Sequence, residues 1–193
     1  AGLTAWRAVV THGEVQAGQR VLVTGIGGGV ATFAALWARY HGAKVFVTSG
    51  TDEKLDQAKR LGIAGGASYK APDWSKQIRE MSGGIDLVID SAGGHGVNAA
   101  LNTLNNGGRF VFFGATLGNP SEGLEMAKLF FRQVRIQGTT MGTPAEFAAM
   151  VEFINRHRIE PVVDQIYKLE DAVSAYKRME ASDQMGKLVL LNV

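Results

Sequence analysis

Glycine supplies four of the five residues from Gly25 to Gly29, within the run Val23-Thr24-Gly25-Ile26-Gly27-Gly28-Gly29-Val30-Ala31. The run follows the β-branched stretch Arg20-Val21-Leu22-Val23-Thr24 and opens a segment with helical spacing, so the glycines stand where a strand turns into a helix. Glycines there let the chain turn sharply and let an anion come against the backbone. Bare N–H groups and the positive end of the helix dipole then face that anion. The chemistry is that of a diphosphate, and the strand–loop–helix context is what makes a glycine motif a dinucleotide site. A tight turn without a ligand needs fewer glycines. The strict Gly-x-Gly-x-x-Gly spacing is not kept, because Val30 holds the third glycine slot.

A second group bears on which dinucleotide is held. An NAD site usually closes its second strand with Asp or Glu, which accepts the ribose hydroxyls and repels a 2′-phosphate. Here the turn reads Thr48-Ser49-Gly50-Thr51, polar and neutral, and Lys54 follows within reach of a phosphate dianion. These residues favour NADP(H). They also have ordinary structural roles: Thr51 or Asp52 as a helix cap, Asp52 and Glu53 as complements of the dipole, Lys54 as a solvated surface residue and Tyr69 as core at a strand end. Such roles are compatible with binding, and Asp52 and Glu53 would serve NAD if the strand ended later.

The elements that must position these groups alternate strand with helix, the pattern of a parallel sheet. Strands are expected at Arg20–Thr24, Lys44–Thr48, Ala67–Tyr69, Ile85–Asp90, Arg109–Phe113 and Val134–Gln137, mostly continuous apolar runs suited to cover on both faces. Helices are expected at Val30–Tyr40, Asp52–Leu61, Trp74–Met81, Gly96–Leu104 and Leu124–Phe131, several stopping at Gly42, Gly62 or Gly83. The fold class is therefore α/β, a doubly wound six-stranded parallel sheet. Ligands in such sheets lie beyond the carboxyl ends of the strands, so Ser91 and Gly93 after one strand, and Phe113, Gly114, Ala115 and Thr116 after another, should line the crevice. Asp90 is read as accepting backbone N–H groups at its strand end, and at least one of Phe112 and Phe113 as core. Thr116–Gly123 reads as a surface loop. A helix from Pro144 to about His157 is followed by a strand at Val162–Tyr167, a helix at Leu169–Met179 and a strand at Lys187–Asn192, which break the crossover rhythm. Residues 1–193 are read as one domain, roughly 1–160 as the sheet core and 161–193 as a tail.

Composition narrows the class. The 193 residues are 46% hydrophobic, enough for one substantial core, and the 25 glycines are nearly double the roughly 7% average. A net charge of +2 with interleaved signs gives no basic stripe, so nucleic acid is not an expected partner. No apolar run approaches the roughly 20 residues of a membrane span and no signal peptide opens the chain, so a soluble cytoplasmic domain is expected. Cysteine is absent, which excludes disulfides and thiolate metal sites from this segment. His12, His41, His95 and His157 are scattered without metal spacing, and no catalytic constellation is visible.

The glycine loop resembles that of the medium-chain dehydrogenase/reductase superfamily, particularly quinone-oxidoreductase-like members, which read Gly-x-x-Gly-Gly-Val-Gly. Gly25, Gly28, Gly29 and Val30 match, and Ala31 departs at the last glycine. The similarity extends to the opening Gly2-Leu3-Thr4-Ala5-Trp6, to Lys54-Leu55 with Ala58-Lys59-Arg60-Leu61-Gly62, to Asp86–Gly94 and to Gly138-Thr139-Thr140-Met141-Gly142. The resemblance implies that Thr4 and Gly27 also contact the cofactor, and that Ser49, Lys54 and Tyr69 grip the 2′-phosphate of NADP(H). It further implies adenine or ribose near Ser91 and Gly93, and nicotinamide near Phe113–Thr116. A separate barrel-like domain would supply most catalytic groups, this chain would start where that domain hands over, and the tail strands would return to it or pair with another copy in a homodimer. Zinc-dependent members carry a Cys ligand at a position before Ala1. The implied activity is hydride transfer from NADP(H) to a small-molecule quinone, enone or enal. An enoyl reductase module of a fatty-acid or polyketide synthase, a zinc alcohol dehydrogenase and a non-catalytic NADPH sensor remain as alternatives.

Overall fold

In a computed structural model that describes residues 1–192, six strands form one parallel sheet. They are Arg20–Val23 (β1), Lys44–Ser49 (β2), Gly65–Ser68 (β3), Ile85–Asp90 (β4), Leu104–Phe112 (β5) and Arg135–Gly138 (β6), in the order β3-β2-β1-β4-β5-β6. The order reverses between β1 and β4, which opens a crevice at the carboxyl ends of those two strands. The crossovers run through Gly29–Tyr40 (α2), Asp52–Arg60 (α3), Trp74–Ser82 (α4), Gly96–Thr103 (α5) and Met126–Phe131 (α6), after an opening helix at Gly2–Trp6 (α1) that continues as a π-helix over Arg7–His12. The doubly wound α/β architecture is thus as the residue pattern predicts.

Alternate residues of each strand enter opposite layers. Val21, Val23, Val45, Val47, Leu87, Ile89 and Val111 pack with α1, α2 and Pro144–His157 (α7) in one core. Leu22, Phe46, Val88 and Phe110 pack with Trp74, Ile78, Leu101 and Leu129 in the other. The largest fully buried side chain, Trp37 on α2, donates its indole N–H to the Gly2 carbonyl at 3.1 Å and ties α1 to α2. Thr143 begins α7 with a capping box shared with Glu146 and a proline at the first turn, which is why its start was legible.

The structure corrects several boundaries. β3 begins at Gly65 rather than Ala67, because a Cβ at Gly66 would lie 2.8 Å from the Val47 carbonyl oxygen and from Leu55; close packing, not β propensity, selects glycine there. β5 begins at Leu104, where its register against β4 shifts between Ile85 and Leu87. β6 is a sheet edge with all four residues exposed, so the expectation of cover on both faces fails for it. Nor is Tyr69 core: it is 50% exposed at the end of β3. The tail forms Val163–Lys168 (β7), Ala172–Glu180 (α8) and Lys187–Leu191 (β8), and β7 pairs in parallel with β8 as a second, two-stranded sheet. Asp164 organises this unit by accepting from Arg178 Nε at 2.7 Å and from the Met185 N–H at 3.1 Å. Among the described residues no helix is long and apolar enough to cross a membrane, and no group of three or more His, Asp or Glu side chains converges as metal ligands.

Candidate dinucleotide-binding site

The glycine loop is folded by β2. The Thr48 hydroxyl accepts from the Gly25 N–H at 3.1 Å and the Thr48 carbonyl from the Ile26 N–H at 2.9 Å, so the chain leaving β1 is pinned against the end of its neighbour. Gly25 turns at φ +64°, a left-handed conformation that glycine adopts without strain. Gly28 is the N-cap of α2 and receives no side-chain cap. Among the described residues the N–H groups of Gly27, Gly29, Val30 and Ala31 have no protein acceptor. Four free donors at a helix head invite an anion. Space for one is open at Gly25, where a Cβ would meet nothing within 4 Å, and at Gly28, where it would meet only the Gly25 carbonyl at 3.7 Å, while the side chains of Lys54 and Lys187 close on Gly27 and Gly29. The residues present therefore fit a dinucleotide diphosphate.

Two cavities open from this loop. The first, about 590 Å³, is lined by Gly25, Gly27, Gly28, Ser49, Gly50, Thr51, Lys54, Tyr69, Lys70 and Thr116 together with Ala181–Gln184 of the tail. Ser49 is buried at the end of β2 and its hydroxyl accepts from the Thr51 N–H at 3.3 Å. Thr51 caps α3 by accepting from the Lys54 N–H at 3.4 Å, which places Lys54 one turn into the helix with its side chain half-buried over the cavity. Burial pushes the Lys54 ammonium below the usual lysine range, while the carboxylates of Asp183 and Asp164 oppose that shift. Tyr69 lays its hydroxyl directly on Gly50, where a Cβ would collide with it. β2 runs one residue past Thr48, to Ser49, and Asp52 and Glu53 are exposed on the first turn of α3 and line neither cavity.

The second cavity, about 680 Å³, continues past Tyr69 and Lys70 to Trp74, Asp90, Ser91, Gly93, His95 and Leu117. Asp90 is buried at the end of β4, where it accepts from the Thr24 hydroxyl at 2.6 Å and the Gly93 N–H at 2.9 Å. Burial pushes its carboxyl above the usual carboxylate range, against the pull of those hydrogen bonds. It shapes the Ser91–Gly93 turn, the role read from its position at a strand end. The Thr116 and Leu117 N–H groups donate to the carbonyls of Ser91 and Ala92, at 3.4 Å and 2.8 Å, so the turns after β4 and β5 form one rim.

The structure thus gathers Gly25, Gly27, Gly28, Ser49, Lys54, Tyr69, Ser91, Gly93 and Thr116 around connected cavities. Thr4, Gly29, Val30, Phe113, Gly114 and Ala115 do not line them. Gly29 and Val30 begin α2 behind the loop, and Thr4 is half-buried on α1. Phe113 packs against the first core, whereas Phe112 is 39% exposed on β5. Gly114 is needed where it stands, since a Cβ would lie 2.9 Å from the Ser91 carbonyl oxygen. Sequence reasoning missed Lys70, whose only signal was its place after Tyr69, and the tail residues 181–184, which no local pattern links to a site far earlier in the chain.

Comparison with known proteins agrees with this geometry. A profile of the zinc-binding dehydrogenase family matches residues 29–156. The zinc-type alcohol dehydrogenase-like protein YogA of Leptosphaeria maculans is 40% identical over 98% of this chain and 55% of its own length. The quinone oxidoreductase of Rattus norvegicus is 30% identical over 97% of this chain and 59% of its own. The crystal structure of an NAD-dependent alcohol dehydrogenase superposes with a TM-score of 0.91 at 34% identity, covering 100% of this chain and 56% of that one. The chain spans little more than half the length of each of these two curated relatives. It belongs to the zinc-binding dehydrogenase family, within the medium-chain dehydrogenase/reductase superfamily, and constitutes the nicotinamide-dinucleotide-binding domain of that architecture.

Proposed function

We propose that the chain binds NADP(H) across the carboxyl rim of its sheet and serves as the cofactor half of an oxidoreductase acting on a quinone or an activated enone or enal. The observation that carries the cofactor choice is the first cavity, where Lys54, Lys70 and the hydroxyls of Ser49, Thr51 and Tyr69 converge and neither β2 nor α3 contributes a carboxylate. A dianion is favoured there and a ribose diol finds no acidic acceptor from those elements. The likeness to a quinone oxidoreductase supports the substrate class.

When bound, the nicotinamide supplies the hydride. The residues of this chain bind and orient. The N–H groups at the head of α2 hold the diphosphate, Lys54 and Tyr69 hold the 2′-phosphate, and the rim built from Ser91–Gly93 and Phe113–Thr116 orients the two ends of the dinucleotide. Gly29 and Val30 contribute two of those N–H groups, and Thr4 on α1 is assigned to the same cofactor surface. Residues 1–160 form the binding core, and residues 161–193 carry the chain back toward a domain that supplies the substrate pocket.

The test is fluorescence titration of the intact chain with NADPH and NADH, repeated on Lys54→Ala. NADPH is expected to bind more tightly. Loss of a charge-assisted contact to phosphate should weaken NADPH by roughly ten- to hundredfold and leave NADH nearly unchanged. Equal affinity for both cofactors, untouched by the substitution, overturns the phosphate assignment.

A further inference from the structure

The tail crosses the glycine loop. The Gly186 N–H donates to the Gly27 carbonyl at 3.0 Å, and the stem of Lys187 packs so tightly on Gly29 that a Cβ there would lie 2.6 Å from its Cδ. The Gln184 carbonyl oxygen stands 3.1 Å from the position a Cβ of Gly27 would take. These contacts hold residues 181–184 as one wall of the cavity that contains Lys54.

Lys54 is engaged by this wall. Its Nζ donates to the carbonyl of Ser182, a residue held at φ +56° in the left-handed region. The Asp183 N–H is bonded to the Arg178 carbonyl at 3.3 Å, which anchors the turn to α8. Among the described residues Asp183 is the one carboxylate lining the cavity, which also presents two lysines and the hydroxyls of Ser49, Thr51, Tyr69, Thr116 and Ser182. The Ser182 carbonyl gives Lys54 an acceptor oxygen, and the Asp183 carboxylate lining the same cavity adds a negative charge to it. A ribose diol brings no charge to meet that of Asp183, whereas a 2′-phosphate must compete with the Ser182 carbonyl for Lys54 and lie in the field of a like charge.

We propose that Asp183, presented by the tail, is a specificity-determining residue of the cofactor site, opposing the 2′-phosphate and so setting the margin by which NADPH is preferred over NADH. The proposal rests on the NADP(H) reading of the same cavity. Cofactor choice is then divided between two distant parts of the chain, with Lys54 on α3 attracting the phosphate and the turn after α8 restraining it.

Asp183 is exposed, so Asp183→Asn removes the charge without disturbing the fold. Affinities of the wild-type chain, Asp183→Asn and Lys54→Ala are measured for NADPH, NADH, 2′-phospho-AMP and AMP. In Asp183→Asn, NADPH and 2′-phospho-AMP should bind roughly five- to tenfold more tightly at low ionic strength and gain less at high salt, with NADH and AMP within about twofold of wild type. A change shared by phosphorylated and unphosphorylated ligands, or no change, overturns the proposal. If Lys54→Ala weakens NADPH while Asp183→Asn does nothing, the NADP(H) reading stands and the role of Asp183 falls. If Lys54→Ala leaves NADPH unaffected, both fall together.

Discussion

Gly28→Asp is expected to weaken NADPH binding by at least about a hundredfold while the melting temperature stays within a few degrees of wild type. Gly28 is the N-cap of α2 in an extended conformation that any residue adopts, and an added Cβ meets only the Gly25 carbonyl at 3.7 Å. Aspartate is a favoured N-cap residue, so its carboxylate would accept from the Val30 or Ala31 N–H and hold the helix at least as well as glycine does. The same carboxylate would occupy the donors and the dipole field assigned to the diphosphate and would place a negative charge against the incoming anion. Stability and binding thus respond differently. Parallel thermal unfolding and NADPH titration check the prediction; binding lost together with the fold, or both retained, would count against it.

Trp37→Ala should have the largest effect on stability. Trp37 is fully buried on α2, stacks on Phe33 at 5.4 Å, meets Trp6 edge-on at 5.8 Å and Phe153 at 6.2 Å, and bonds the Gly2 carbonyl. Truncation opens a cavity shared by α1, α2 and α7 and leaves a backbone acceptor without its donor. A loss of about 3–5 kcal/mol is expected, a large fraction of the total of about 5–15 kcal/mol for a domain. The melting temperature should fall by roughly 10 °C or more. Trp37→Phe, which keeps most of the ring contacts, should lose less than half as much. Chemical denaturation with an unchanged slope is the measurement, and a loss below about 1 kcal/mol for the alanine variant would show that these helices do not depend on the ring.

What was legible in the sequence follows the range of the forces involved. β1, β2 and β4 were readable because Val21, Leu22 and Val23, or Leu87, Val88 and Ile89, are apolar at consecutive positions, as burial of both faces requires. The glycine loop was readable because a strand, a turn and a helix head are neighbours along the chain. The start of β3 was hidden because Gly65 and Gly66 are selected by the proximity of Val47 and Leu55, a tertiary constraint that leaves no local pattern. The start of β5 was hidden because Asn105, Asn106, Gly107 and Gly108 lack the apolar β-branched residues that mark the strand from Arg109, although they belong to it where its register shifts. Pairing of β7 with β8 depends on Asp164 reaching Arg178 and Met185, contacts between residues well separated in sequence. The candidate site divides in the same way. Ser49, Lys54 and Tyr69 stand at strand ends and a helix start that the alternation locates, while residues 181–184 enter the cavity only because the tail folds back over Gly27 and Gly29.

Cofactor binding depends on the free donors at the start of α2. Backbone amide resonances followed by NMR during NADPH titration report on them directly. The largest shifts are predicted at Gly27, Gly28, Gly29, Val30 and Ala31, with a second group at Ser49–Lys54. Shifts concentrated elsewhere, with the resonances of the glycine loop unmoved at saturation, would contradict the assignment of a diphosphate to this helix head.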